Sequence, residues 1–312
     1  MSTGRTSPEK CGLYIVFSCL RVPQLVCIIS AFFLVLDMGI RWGDISSWIM
    51  FSWCFCIIGT LIIVILELYR FPTDFPFCWY NFSITYACYA ALICLSASIF
   101  YPITYIKFLP YDATRNRAIA ATVFSCIACV VYVMEVACVW ECYKLKEIPC
   151  FVHTMPGLLK VLETFVACVI FAFLSNTSLY IDQPALEWCV AVYSICFILA
   201  VLAMLMDREE WENRLPISFP VFHLGLNLLS ILLHFTALVL WLLYQFDEKY
   251  GGQPQQSSDV NCIDRTTHGM CAWEQRLAVA VLTAANLLTY MADLGYWAHQ
   301  VSVGTGGQPT DS

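Results

Sequence analysis

Apolar residues gather into eight blocks along this chain, separated by short polar stretches. The blocks cover 21–38, 48–68, 82–105, 118–140, 158–174, 186–206, 220–244 and 275–297. Each is roughly 17–25 residues long, the length that crosses a ~30 Å hydrocarbon core as an α-helix. The pattern predicts an all-α membrane protein with eight transmembrane helices. An even number of spans puts both termini on one side. A short polar tail with Arg5 and Lys10 precedes the first block. No small-residue cleavage site follows a separate apolar core, so that block is expected to remain as an uncleaved anchor.

The blocks repeat. Leu20-Arg21-Val22-Pro23-Gln24 and Leu159-Lys160-Val161-Leu162-Glu163 share the form Leu, basic, Val, any residue, Gln or Glu, at an offset of 160 − 21 = 139. The fourth block runs from Arg117 to Tyr132-Val-Met-Glu135, and the eighth from Arg276 to Tyr290-Met-Ala-Asp293, at an offset of 293 − 135 = 158. Trp53-Cys54 and Trp188-Cys189 suggest a third correspondence. The chain therefore divides into a tail (1–16), a four-helix unit (17–149), a second four-helix unit (153–303) and a short C-terminal tail (304–312). Four spans per unit insert both copies the same way up, a parallel repeat rather than an inverted one. The segment 245–274 takes up the extra length of the second copy.

Composition agrees with the pattern. Hydrophobic residues form 60% of the chain and charged residues only 12%, whereas a soluble domain carries about 25% charged residues. The net charge of −7 is spread over the loops, and no basic run suggests nucleic acid. Basic residues lean toward cytosolic termini: nine fall on the side of the termini and seven on the other. All tryptophans but Trp53 lie near a predicted helix end, as an interfacial aromatic belt requires.

Small residues mark packing faces. Ala87, Ala91, Cys94 and Ser98 share one face of the third helix, and Ala118, Thr122, Ser125 and Cys129 one face of the fourth. Such stripes let helix backbones approach closely in lipid. Chemistry-bearing motifs are few. There is no HExxH, no phosphate-binding GxxxxGK[ST] and no GxSxG, so no enzyme and no cofactor is expected. His223 and His234 are eleven residues apart and can share a helix face, but no carboxylate accompanies them to hold a metal. Cys126-x-x-Cys129 lacks the βαβ setting of a redox motif. Asn227 and Asn286 are expected to hydrogen-bond between helices.

The 18 cysteines mostly lie within spans and should act as small apolar residues. Cys11, Cys19, Cys78, Cys142 and Cys150 fall at the inner face, where palmitoylation is open to them. Cys262 and Cys271 alone lie outside the spans on the proposed outer side, and a disulfide is expected there. The glycosylation patterns at Asn81 and Asn176 fall on the inner side or against a helix end, and neither is expected to carry sugar.

Four long strings carry a resemblance: ITYACYAALICLSASIFYPITY (84–105), PGLLKVLETFVACVIFAFLS (156–175), QPALEWCVAVYSICFILA (183–200) and ALVLWLLYQFDEKYGGQP (237–254). They resemble the myeloid-associated differentiation marker family of double-MARVEL-domain membrane proteins, over about residues 13–298. The resemblance implies tandem four-helix bundles with cytosolic termini in cholesterol-rich plasma-membrane or vesicle domains. It implies membrane lipids, cholesterol among them, and a Rac-type small GTPase as partners. The function it implies is non-enzymatic: organising such domains, membrane apposition or trafficking.

The alternative is a small-solute transporter or channel, which needs ionisable groups near the bilayer centre. Glu67, Glu135, Glu163, Asp207 and Asp293 all map toward the inner ends of their spans and Asp37 to the outer end of its own, which favours the organiser. Arg21 with Glu135, and Lys160 with Asp293, are the candidate interhelical charge pairs, one in each copy. The competing arrangement has these residues snorkelling to water, with Lys160 bonded to Glu163.

Overall fold

A computed structural model describes residues 8–37, 44–69, 79–104, 106, 111–144, 154–175, 179–181, 183–206, 218–254 and 272–305. Eight long helices form: α1 (Pro8–Leu36), α2 (Asp44–Leu68), α3 (Trp79–Thr104), α4 (Ala113–Lys144), α5 (Met155–Leu174), α6 (Pro184–Met206), α7 (Phe219–Phe246) and α8 (Ala272–Thr305). All eight are long and apolar enough to cross a membrane, and no strand occurs among the described residues. In lipid a helix is the economical solution, since it satisfies its own backbone hydrogen bonds.

Local chemistry sets several ends. Thr154 caps α5 with extended backbone, and its hydroxyl accepts from the Gly157 amide at 3.3 Å. Pro156 then sits in the first turn, where its missing N–H costs nothing. After α7, Asp247 caps a single 3₁₀ turn at Glu248–Tyr250. Gly251 ends that turn at φ 84°, a left-handed conformation that glycine adopts without a Cβ clash. Helix α4 has 32 residues and α8 has 34. At 1.5 Å per residue they are ~48 and ~51 Å long, well beyond a hydrocarbon core.

The chain falls into two compact units, α1–α4 and α5–α8. Within the first, α1 packs on α2 and α4, and α3 on α2 and α4. Within the second, α5 packs on α6 and α8, and α7 on α6 and α8. Each is an antiparallel-neighbour four-helix bundle. Small side chains bring α3 and α4 close: the Ser125 hydroxyl donates to the Cys94 carbonyl at 3.2 Å, and the Cys129 thiol to the Ala91 carbonyl at 3.4 Å.

Burial reveals a closer repeat than the sequence pattern did. Buried Ile49, Ser52, Trp53, Cys56, Thr60 and Ile63 of α2 fall 140 residues before buried Cys189, Val192, Tyr193, Cys196, Ala200 and Ala203 of α6 (189 − 49 = 140). The same offset carries Ala87, Ala90, Cys94, Ala97 and Tyr101 of α3 onto Asn227, Ser230, His234, Ala237 and Trp241 of α7. This corrects the Trp-Cys correspondence. Trp53 is fully buried, with its indole N–H on Ser125 Oγ at 3.3 Å, whereas Trp188 is 45% exposed. The two dipeptides are five residues out of register, so their tryptophans point in different directions.

Candidate functional site

Each bundle gathers its charged groups into one buried cluster. In the first, Arg21 of α1 lies 3.2 Å from Glu135 Oε1 of α4 through Nη2, and its Nε reaches the same oxygen at 3.3 Å. Nη2 also donates to Ser83 Oγ of α3 at 2.8 Å. Nη1 stands 2.5 Å from Glu67 Oε2 of α2, as an ion-pair contact rather than an aligned hydrogen bond. One turn along α1, the Gln24 amide donates to Glu135 Oε2 at 2.7 Å. The planar guanidinium of α1 thus touches side chains of the other three helices, its donors spread in a fixed fork.

In the second bundle, Lys160 Nζ of α5 has three acceptors: Glu163 Oε2 at 2.8 Å, Asn227 Oδ1 at 2.7 Å and Asp293 Oδ2 at 2.9 Å. The first two accept hydrogen bonds from the ammonium, and Asp293 is held as an ion-pair contact. Asn227 of α7 closes the ring by donating to Asp293 Oδ2 at 2.7 Å. The Tyr290 ring lies 5.3 Å from Nζ. The structure therefore brings Arg21 to Glu135 and Lys160 to Asp293, and it adds the Lys160–Glu163 contact. Snorkelling is excluded: Arg21 and Lys160 are each 3% exposed.

The depth expected for Glu163 needs correction. Glu163 lies eight residues into the 20-residue α5, about 12 Å along a ~30 Å helix. It and Asp293 are fully buried. Glu135 lies three residues before Cys138, where the apolar span of α4 ends, as the sequence placed it. Asp207, which follows Glu67 by the same 140 residues, lies outside the described residues, as do Cys262, Cys271 and the Asn176 pattern.

Above the second cluster, polar groups continue along α7 and α8. His234 Nε2 faces Asn286 Nδ2 at 3.3 Å, its ring packs on Tyr290 with centroids 4.8 Å apart, and Tyr193 shares a hydrogen bond with Thr283 at 2.9 Å. His223 stacks on Trp297 at 4.5 Å. The two histidines share a buried face, as their spacing suggested. No group of metal-ligating side chains occurs among the described residues. In the first bundle the positions of Asn227, Ser230, His234 and Asn286 hold Ala87, Ala90, Cys94 and Ala128. The sequence pattern missed this asymmetry because it scored apolar length. The repeated offset, applied to polar substitutions, would have found it.

The human myeloid-associated differentiation marker is 60% identical over 284 residues, which are 91% of this chain and 88% of its own. The chain belongs to the myeloid-associated differentiation marker family. A Xenopus laevis homolog of the marker is 40% identical over 302 residues, 96% of each chain. The human marker-like protein 2 is 33% identical over 281 residues, 88% of this chain and 89% of its own. The MARVEL family, described as a membrane-associating domain, matches residues 151–296, the segment that builds the second bundle. No solved structure matches the chain. As a member of this family with eight apolar helices, the chain is a multi-pass membrane protein.

Proposed function

We propose that the protein is a non-enzymatic organiser of membrane domains, acting through the lipid-facing surfaces of its two bundles. The observation that carries this reading is the division of its side chains. In each bundle a buried cation is turned inward onto buried carboxylates, while Phe33, Phe51, Phe55, Ile62, Leu228, Leu232, Phe235 and Leu288 stand outward. A surface of aromatic and branched side chains suits contact with lipid tails and sterol rings, and with other apolar helices. The resemblance extends the reading to cholesterol-rich plasma-membrane domains, to membrane apposition and trafficking, and to recruitment of a Rac-type small GTPase at cytosolic termini.

Proximity labelling from the N-terminal tail in living cells, followed by detergent-resistant fractionation, tests it. The expected result is enrichment in the resistant fraction, lost on sterol extraction, with the GTPase among the labelled proteins. Uniform distribution across fractions overturns it. Topology has its own test. A membrane-impermeant reagent should reach a cysteine placed at position 259 in intact cells, and neither terminus.

A transporter or channel reading keeps one observation in its favour: Lys160, Glu163 and Asp293, with His234 and Asn286 beyond them, form a buried polar series inside the second bundle. Flux of protons or small ions through liposomes containing the full chain decides it. A flux above that of empty vesicles, abolished by Asp293→Asn, favours transport over organisation.

A further inference from the structure

The two clusters differ at one corresponding position. Gln24 of the first bundle and Glu163 of the second are 139 residues apart, both fully buried, and both lie one turn after the cation of their helix. Gln24 is neutral, and its amide donates to the far oxygen of the α4 acid, Glu135 Oε2, at 2.7 Å. Both oxygens of Glu135 are thereby bonded, one to Arg21 and one to Gln24. Glu163 cannot do the same for Asp293 as a carboxylate, because it has no donor. Correspondingly, Glu163 Oε1 and Asp293 Oδ1 are buried without a hydrogen-bond partner.

Charge points the same way. Lys160 is the one cation among the described residues of this cluster, and it faces two carboxylates that are each 0% exposed. The first bundle also sets two carboxylates against one cation, but the second of them, Glu67, keeps 10% of its side chain exposed. An uncompensated charge sealed inside a membrane bundle is costly, and a protein commonly removes it by taking up a proton. A protonated Glu163 is the isostere of Gln24, with one O–H donor in place of the amide.

We propose that the second bundle binds one proton in its Lys160–Glu163–Asp293 cluster, carried on Glu163 and donated toward Asp293 as Gln24 donates toward Glu135. The proton comes from water and returns to it, and no bond other than O–H forms or breaks. The groups facing the site come from all four helices: Lys160 on α5, Cys196 on α6, His223, Asn227 and Ser230 on α7, and Tyr290 and Asp293 on α8. Loss of the proton leaves two buried anions on one ammonium, so the bundle is most stable with the proton bound. Because the unfolded chain would release it in the ordinary carboxyl range, near pH 4.3, stability falls as pH rises above that range.

The test uses the full-length protein in phosphatidylcholine liposomes, read by infrared spectroscopy with ¹³C-labelled glutamate at neutral pH. The expected result is a carboxylic-acid C=O band that shifts with the glutamate label and disappears in Glu163→Gln. It should persist in Glu67→Gln, His223→Gln and His234→Gln. The wild-type spectrum decides the matter even where a variant fails to fold: absence of a label-sensitive band overturns the proposal. In the same liposomes, raising pH should lower the thermal midpoint of the wild type more than that of Glu163→Gln. Sodium titration at fixed pH is the opposing arm. Stabilisation by sodium that Glu163→Gln abolishes would mean that the site takes a metal cation, and would overturn the proton.

Discussion

The first bundle closes its charges with an arginine and the second with a lysine, and the surroundings of each follow from that choice. Arg21 spreads its donors over Glu67, Ser83 and Glu135, reaching every helix of its bundle. Behind it the bundle interior is filled by small apolar residues such as Ala87, Ala90 and Ala128. Lys160 offers a point charge that donates to Glu163 on α5 and Asn227 on α7 and pairs with Asp293 on α8. Asn227, Ser230, His234 and Asn286 then extend the polar interior at positions where the first bundle has Ala87, Ala90, Cys94 and Ala128. One scaffold, duplicated, keeps hydroxyl and indole hydrogen bonds such as Trp53–Ser125 and Thr60–Tyr132 in the interior of one copy, and adds amides and a histidine in the other. The lesson is that a repeat preserves which positions are buried more strictly than what is buried there.

The largest expected effect breaks the cations themselves. Lys160→Met should destabilise the second bundle by roughly 3–5 kcal/mol, the cost of removing one partner from a buried ion pair. Arg21→Met should do the same to the first. Surface-delivered fraction and thermal unfolding of the purified protein measure both. If the two bundles are independently folding units, limited proteolysis should show only the mutated one opened.

Charge reversal sharpens the pairing. Glu135→Arg alone should impair surface delivery, and adding Arg21→Glu should restore part of it. Restoration should stay partial, because a glutamate at position 21 would then face Glu67. A double variant no better than the single would show that Arg21 and Glu135 do not depend on each other.

The connection between α7 and α8 is longer than its α3–α4 counterpart and alone carries a cysteine pair. A Cys262–Cys271 disulfide would close a ring of about ten residues and remove roughly 2.5–3 kcal/mol of unfolded-chain freedom. Mass spectrometry of unreduced peptides from surface-delivered protein should find the bridge, and Cys262→Ala should leave the bundles intact. Both thiols free would remove this difference between the copies.

The smallest effect exchanges interior polarity. Asn286→Ala should cost about 0.6–1.7 kcal/mol, the range for interhelical hydrogen bonds in membranes, since it removes the partner of His234. Ala128→Asn in the first bundle should cost at least as much, having no histidine to meet.

Most of the fold was legible because a bilayer imposes a length and a polarity that show directly in the string. Eight blocks became eight helices, and the charges that opened or closed them proved to be partners. Glu163 was misplaced because depth was measured from the edge of its apolar block, whereas Thr154 starts the helix earlier. The α2–α6 register was misjudged because a shared Trp-Cys dipeptide carries no information on which way a helix faces. Ser83 and Gln24 were not foreseen as members of the first cluster, since a single polar residue inside a span does not announce its partner. The offset of 140 would have exposed the α2–α6 register, but it emerges only when burial is known.

The separation of partners along the chain has a consequence for synthesis. Lys160 finds Glu163 three residues later, within the same helical turn, so α5 carries its own counterion as soon as it forms. Arg21 finds its first counterion in Glu67 of α2, 67 − 21 = 46 residues downstream, and its second in Glu135, 114 residues downstream. At translation speeds of roughly 5–20 residues per second, those are delays of about 2–9 s and about 6–23 s. Until α2 is made, α1 carries an arginine without a counterion, while the second bundle starts neutral at its first helix.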